Sequence, residues 1–144
     1  MSKVNQILRS KGNDIWSVSP QASVLDALHL MAGKDVGALL VMDGEHVAGI
    51  FSERDYARKV ILQGKASKDT PVQEIMTQRV IFVQPDQSIE DCMAVMTEKH
   101  VRHLPVMENG KLLGVISIGD VVKEIIAAQG FVIEQLENYI TGER

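Results

Sequence analysis

Apolar residues recur at helical spacing twice in this chain, and the two stretches are related by a shift of 65 positions. Val24, Ala27, Leu28 and Met31 stand at i, i+3, i+4 and i+7, the stripe of an amphipathic helix. Ile89, Cys92, Met93 and Met96 repeat that stripe, and Met31, Met93 and Met96 read as core positions. Ser23 and Ser88 precede the two runs as N-caps, with Asp26 and Asp91 three residues on. Two apolar runs of strand length follow each helix: Ala38–Met42 and His46–Phe51, then Leu104–Met107 and Lys111–Ile116. Asp43-Gly44 separates the first pair and Glu108-Asn109-Gly110 the second, both hairpin signals. A further helix is expected after each hairpin. One runs from Ser52 to about Leu62 and stops at Gly64; the other runs from Ser117 to about Ala128 and stops at Gly130.

The register of this duplication is continuous from 18–56 to 83–121. Val18 falls on Val83, Pro20 on Pro85, Gly49 on Gly114, Ser52 on Ser117 and Asp55 on Asp120. A repeat of this kind means two copies of one structural unit. A shorter echo leads into each copy, Val4-Asn5-Gln6-Ile7-Leu8 matching Val72-Gln73-Glu74-Ile75-Met76 at an offset of 68, so three extra residues follow the first echo. Gln63–Pro71 is polar, contains Gly64 and Pro71, and reads as a surface linker. Phe131–Thr141 is a last amphipathic helix outside the repeat. The expected organisation is a first repeat over 4–64, a linker over 65–71, a second repeat over 72–129 and a C-terminal segment over 130–144.

Composition narrows the function classes. The net charge of −4 argues against a general nucleic-acid binder, which carries a basic surface. No apolar run reaches the roughly 18–20 residues that span a membrane, and the N-terminus lacks an apolar signal core. These features point to a cytoplasmic protein. Cys92 is the single cysteine, so no internal disulfide forms, and its helical position, equivalent to Ala27, reads as core. No histidine or aspartate can be tied to it as a catalytic partner. His29, His46, His100 and His103 follow no metal-ligand spacing. Trp16 reads as a packing residue. With no nucleophile–base pair and no Gly-rich phosphate loop, the chain is not expected to be an enzyme.

What remains is the end of each hairpin. Gly49-Ile50-Phe51-Ser52-Glu53-Arg54-Asp55 and Gly114-Val115-Ile116-Ser117-Ile118-Gly119-Asp120 share the pattern Gly-apolar-apolar-Ser-x-x-Asp. Val101-Arg102-His103-Leu104-Pro105-Val106 stands before the second hairpin, and Ile75-Met76-Thr77 leads into the second repeat. In these features residues 4–128 resemble a tandem cystathionine-β-synthase (CBS) domain pair, the Bateman module. The resemblance implies an α+β fold of two β-α-β-β-α CBS repeats packed with pseudo-two-fold symmetry. It also implies adenine-nucleotide binding, of AMP, ADP, ATP or NAD(H), in the cleft between repeats. The chain would then be a free-standing signal-transduction or regulatory module, with no catalytic or metal site. A homodimer follows from the same family, with Val60, Ile61, Val122 and Ile125 as candidate interface residues, alongside an unidentified regulated protein. The alternative is an interaction module with vestigial ligand sites.

The resemblance assigns roles residue by residue. Ser52 and Ser117 sit where a strand gives way to a helix, whose unpaired N–H groups and partial positive charge suit phosphate. Asp55 and Asp120 would repel phosphate, and a carboxylate suits the two hydroxyls of a ribose. Arg102 and His103 would contact phosphate beside Asp120. The first copy has Gly37 and Ala38 at those places, with Arg54 as a possible compensation, and Thr77 would donate to a phosphate near Asp55. Val36 and Val101 complete the expected lining. The lead-in position of the first repeat falls near Lys11–Gly12. Ser-x-x-Asp is also the pattern of a capping box, and the chain has four of them: Ser23/Asp26, Ser52/Asp55, Ser88/Asp91 and Ser117/Asp120.

Overall fold

The computed structural model describes residues 2–141. It is a mixed α+β structure, in the order α1 (Val4–Lys11), β1 (Ser17–Val18), α2 (Val24–Lys34), β2 (Ala38–Asp43), β3 (His46–Ser52), α3 (Glu53–Asp55), α4 (Ile89–Lys99), β4 (His103–Glu108), β5 (Lys111–Ser117) and α5 (Ile118–Thr141). A π-helical turn, Tyr56–Ile61, continues α3, and Val72–Glu74 forms a 3-10 turn. The chain falls into two compact units. One holds residues 15–80; the other joins the described residues of 1–14 to those of 81–144. The lead-in segments are therefore exchanged with respect to the repeat order. Val4–Leu8 belongs with the second hairpin and Val72–Met76 with the first.

In the 15–80 unit, β1 runs parallel to β2 and β2 pairs antiparallel with β3. Leu39, Val41 and Phe51 from one face of this sheet meet Val24, Ala27 and Met31 of α2, with Val60, Val72 and Ile75 closing the core. Trp16 packs at its margin and carries the Lys34 ammonium 4.3 Å from its ring centre. In the other unit β4 and β5 form the hairpin, and Val83 makes a single parallel bridge to Val106 where the first copy has β1. Its core is Leu104, Val106 and Ile116 against Ile89, Cys92 and Met96 of α4, Val121 of α5, and Val4, Ile7 and Leu8 of α1. Burial pushes the Cys92 thiol up to about 11, with Asp91 adding to the effect. The two hairpins share one register, down to a bulge at Val41/Met42 and at Val106/Met107. Ser23 and Ser88 cap α2 and α4 by accepting from Asp26 N and Asp91 N, each at 3.0 Å.

Several expectations change. Gly130 does not stop a helix: α5 runs unbroken from Ile118 to Thr141. A glycine costs a helix interior about 1 kcal/mol, which good helix formers on both sides outweigh. The expected C-terminal segment is thus the far half of α5, and its residues 142–144 lie outside the described residues. The two lead-in echoes differ, one an α-helix and the other a 3-10 turn. Gln63–Pro71 is exposed at its start but not at its end, where Thr70 is buried. Thr70 O and Ser67 O accept from Val24 N and Leu25 N, satisfying first-turn donors of α2. Met93 is 37% exposed rather than core, and Val60 is fully buried, which removes it from any interface.

Candidate functional site

Each hairpin ends by handing its strand to a helix, and the handover builds the Ser/Asp pair. β2 pairs Ala38 with Ser52 and β4 pairs His103 with Ser117. The helix start is tied back to the facing strand in both copies: Glu53 N donates to Gly37 O at 3.1 Å and Ile118 N to Arg102 O at 2.8 Å. Ser52 Oγ accepts from Asp55 N, and Ser117 Oγ from Asp120 N, both at 3.2 Å. The aspartates answer: Ser52 N donates to Asp55 Oδ2 at 3.0 Å, and Ser117 N to Asp120 Oδ2 at 2.8 Å. Asp26 and Asp91 make no such return bond among the described residues. The reciprocal box therefore separates the two hairpin motifs from the two plain caps.

Around Asp55 the carboxylate is fully engaged. Oδ2 also accepts from Ser52 Oγ at 3.1 Å, while Oδ1 accepts from Thr77 Oγ1 at 3.1 Å and pairs with Lys59 Nζ at 3.0 Å. Lys59 Nζ further donates to Ile75 O at 3.2 Å. Thr77 reaches Asp55 because its backbone bridges Ile50 of β3, and that crossing is why position 49 is glycine. A Cβ at Gly49 would lie 2.8 Å from Thr77 O and 2.7 Å from Met76 Sδ. Arg54 is exposed on α3, and Val36, Gly37 and Ala38 are half-buried at the start of β2.

Around Asp120 the arrangement is more open. Lys11 Nζ lies 2.7 Å from Asp120 Oδ2 and 2.9 Å from Val115 O. Oδ1 accepts no hydrogen bond among the described residues. Burial works against the charge on Asp120. The hydrogen bond from Lys11, the Ser117 amide and the Lys11 charge outweigh it and hold the carboxyl below its ordinary value. His103, half-buried on β4, is pushed below its usual pKa, first by burial and next by the Lys11 charge. Asp120 opposes this and Arg102 adds to it. His103 is therefore a neutral donor or acceptor near pH 7 rather than a cation. Arg102 is exposed and Val101 half-buried at the foot of β4.

The structure thus brings Ser52, Asp55 and Thr77 together in one unit, and Ser117, Asp120, His103 and Arg102 together in the other. Sequence reasoning missed the two ammonium groups. Lys11 was signalled only by its place near the lead-in position. Lys59 was hidden in a charged helical run, although i, i+4 from Asp55 is a pairing distance. A cavity of about 440 Å³ lies along α4 and α5, lined by Ile89, Ile125, Val132 and Ile133 with Glu90 and Glu124. It touches neither motif, and its acidic charges do not suit phosphate, so the motifs and not the cavity define the site. Among the described residues no three metal-ligating side chains cluster, and no helix is long and apolar enough to cross a membrane.

Two hairpin-and-helix units, each closed by a reciprocal Ser/Asp box, are thus the duplicated element of this chain. The chain belongs to the CBS domain family, whose sequence model matches residues 4–61 and 72–127. It is 36% identical over 149 residues to the CBS domain-containing protein CBSX3, mitochondrial, of Arabidopsis thaliana, covering 96% of this chain and 72% of that protein. A solved CBS-domain protein of Burkholderia ambifaria MC40-6, named for signal transduction, is 56% identical with a TM-score of 0.87 over 89% of this chain and 96% of that one. A hexameric CBS-CP12 protein from bloom-forming cyanobacteria is 28% identical with a TM-score of 0.75, over 84% of this chain and 70% of that one.

Proposed function

We propose that this chain is a cytosolic sensor that binds an adenine nucleotide at the Asp120 motif and performs no chemistry of its own. The observation that carries this reading is the Asp120 carboxylate. It is held by Ser117 N at the start of α5, keeps one oxygen without a hydrogen bond among the described residues, and lies near Lys11 and His103. The open oxygen is an acceptor for a ribose hydroxyl. Arg102, the N–H groups at the start of α5 and neutral His103 are donors for phosphate. AMP, ADP, ATP and NAD(H) all offer this ribose–phosphate pair. The Asp55 motif, with Gly37 and Ala38 in place of Arg102 and His103, is the weaker site. The nucleotide state would be relayed to a partner protein.

The module acts as a homodimer in this reading. Ile61 and Val122, two of the expected interface residues, are 54% and 43% exposed on the helices after the hairpins, and Ile125 is half-buried beside them. A second reading, an interaction module without ligand, draws on the apolar residues exposed further along α5, including Phe131, Leu136 and Ile140. Calorimetric titration and thermal melting with AMP, ADP, ATP and NADH decide between the two. A ligand at about 100 times its Kd adds about 2.7 kcal/mol to the native state, a shift of several degrees. No shift with any of the four at millimolar concentration would sink the sensor reading. Light scattering at micromolar protein checks the dimer against a 15.9 kDa monomer.

A further inference from the structure

Asp120 has a counter-ion that the repeat pattern does not supply. Its twin, Asp55, draws its ammonium from Lys59 one helical turn on, but the position equivalent to Lys59 in the second copy is Glu124. The cation on Asp120 comes instead from Lys11, the last residue of α1. An ammonium has three N–H donors. Two are used, on Asp120 Oδ2 and Val115 O, and the Lys11 side chain is 37% exposed. We propose that Lys11 makes the Asp120 site selective for ligands carrying an anionic phosphate over the uncharged nucleoside, a role that rests on the nucleotide reading of that site.

Without ligand, Lys11 neutralises a part-buried carboxylate. A nucleoside that brings only its ribose hydroxyls to Asp120 makes no use of that cation. A nucleoside phosphate gives the remaining N–H a second anion, and the pair becomes a phosphate–ammonium–carboxylate triad. The local field favours this. At His103 the Lys11 charge acts more strongly than the opposing Asp120 charge, and Arg102 has the same sign as Lys11. Around Asp55, Lys59 pairs with the carboxylate and both of its oxygens are taken.

Calorimetric titration of AMP and of adenosine into the wild-type chain, Lys11→Met, Lys11→Gln and Lys11→Arg tests the assignment, after ligand-free melting shows which variants are folded. Loss of one charge-assisted hydrogen bond to phosphate should weaken AMP about tenfold or more in Lys11→Met and Lys11→Gln. Adenosine should stay within about threefold of wild type, and Lys11→Arg should keep AMP within the same range. Equal losses for AMP and adenosine, or no loss for either, would overturn the role of Lys11 while leaving the nucleotide site intact. Should Lys11→Met and Lys11→Gln both fail to fold, Lys11→Arg together with the wild-type AMP-to-adenosine ratio decides: a ratio near one overturns the assignment. A wild-type chain that binds neither ligand overturns the nucleotide reading itself, and this inference with it.

Discussion

The Asp55 and Asp120 motifs lie at the ends of hairpins with one register, one bulge and one capping geometry, yet their carboxylates have different partners. Asp55 is 7% exposed and both oxygens are bonded internally; Asp120 is more open and keeps an oxygen available. The backbone does not account for the difference. It comes from the segment that crosses each hairpin and from the residues before β2 and β4. In the 15–80 unit the crossing segment is extended at Thr77 and delivers a hydroxyl; in the other it is α1 and delivers Lys11. One local device, the reciprocal Ser/Asp box, is thus a closed structural cap in one place and an acceptor with a free side in the other.

The largest expected effect separates the twin glycines. A Cβ at Gly49 meets the backbone carbonyl of Thr77 at 2.8 Å, which cannot move without breaking the bridge to Ile50. A Cβ at Gly114 meets Leu8 Cδ2 at 2.8 Å, the far end of a flexible side chain. Gly49→Ala should cost about 3 kcal/mol and Gly114→Ala about 1 kcal/mol, within the range for overpacking. Chemical denaturation measures both, and equal costs would show that the two crossings are alike after all.

Next in size is the pair of carboxylates. Asp55→Ala removes the return bond to Ser52 N, the bond from Thr77 and the Lys59 pair, and should lower ligand-free stability by about 2 kcal/mol. Asp120→Ala removes fewer internal bonds and should cost about 1 kcal/mol, while abolishing the melting shift produced by AMP. Reversal of that order would mean that Asp120, and not Asp55, is the structural cap.

The smallest effect is in pH, and it is expected on the Asp120 side. His103 has a native pKa below its ordinary 6.5. The unfolded chain therefore binds the proton first as pH falls, and the stability that neutral His103 contributes is complete above about pH 6.5. It is lost as pH falls from there through the lowered native value. Asp120, also depressed, adds a second loss below its ordinary 3.8. His103→Ala, which copies Ala38 of the first unit, should flatten the fall in melting temperature between pH 7.5 and 5.5. An unchanged slope would show that His103 titrates normally.

Much of this was legible in the sequence because it depends on residues close together in the chain. The stripes of α2 and α4, the Ser caps, the hairpins closed by Gly44 and by Asn109-Gly110, and the helix starts at Ser52 and Ser117 each follow from spacing and backbone preference. Even the choice of Ser/Asp pairs was visible, since only those two follow a Gly-apolar-apolar strand. Individual burial was less legible. Val60 and Ile61 are adjacent and equally apolar, but one is buried and the other 54% exposed, because the π-helical turn sets which side meets the core.

Sequence alone determined that there are two copies, where each hairpin lies, and which four serines cap a helix; these are local matters of periodicity and dihedral preference. Tertiary structure decided which lead-in segment belongs with which hairpin, and so placed Lys11 on Asp120 across 109 positions of chain and Thr77 on Asp55 across 22. The spacing of residues 4–11 marks Lys11 as a lead-in position but does not indicate which hairpin it joins. It arises because Val4, Ile7 and Leu8 bury their apolar face in the core formed with Val83, Ile89 and Ile116, which carries the end of α1 to Val115 and Asp120. An ion pair between distant residues exists only once burial has brought their backbones together, and that is a property of the folded whole.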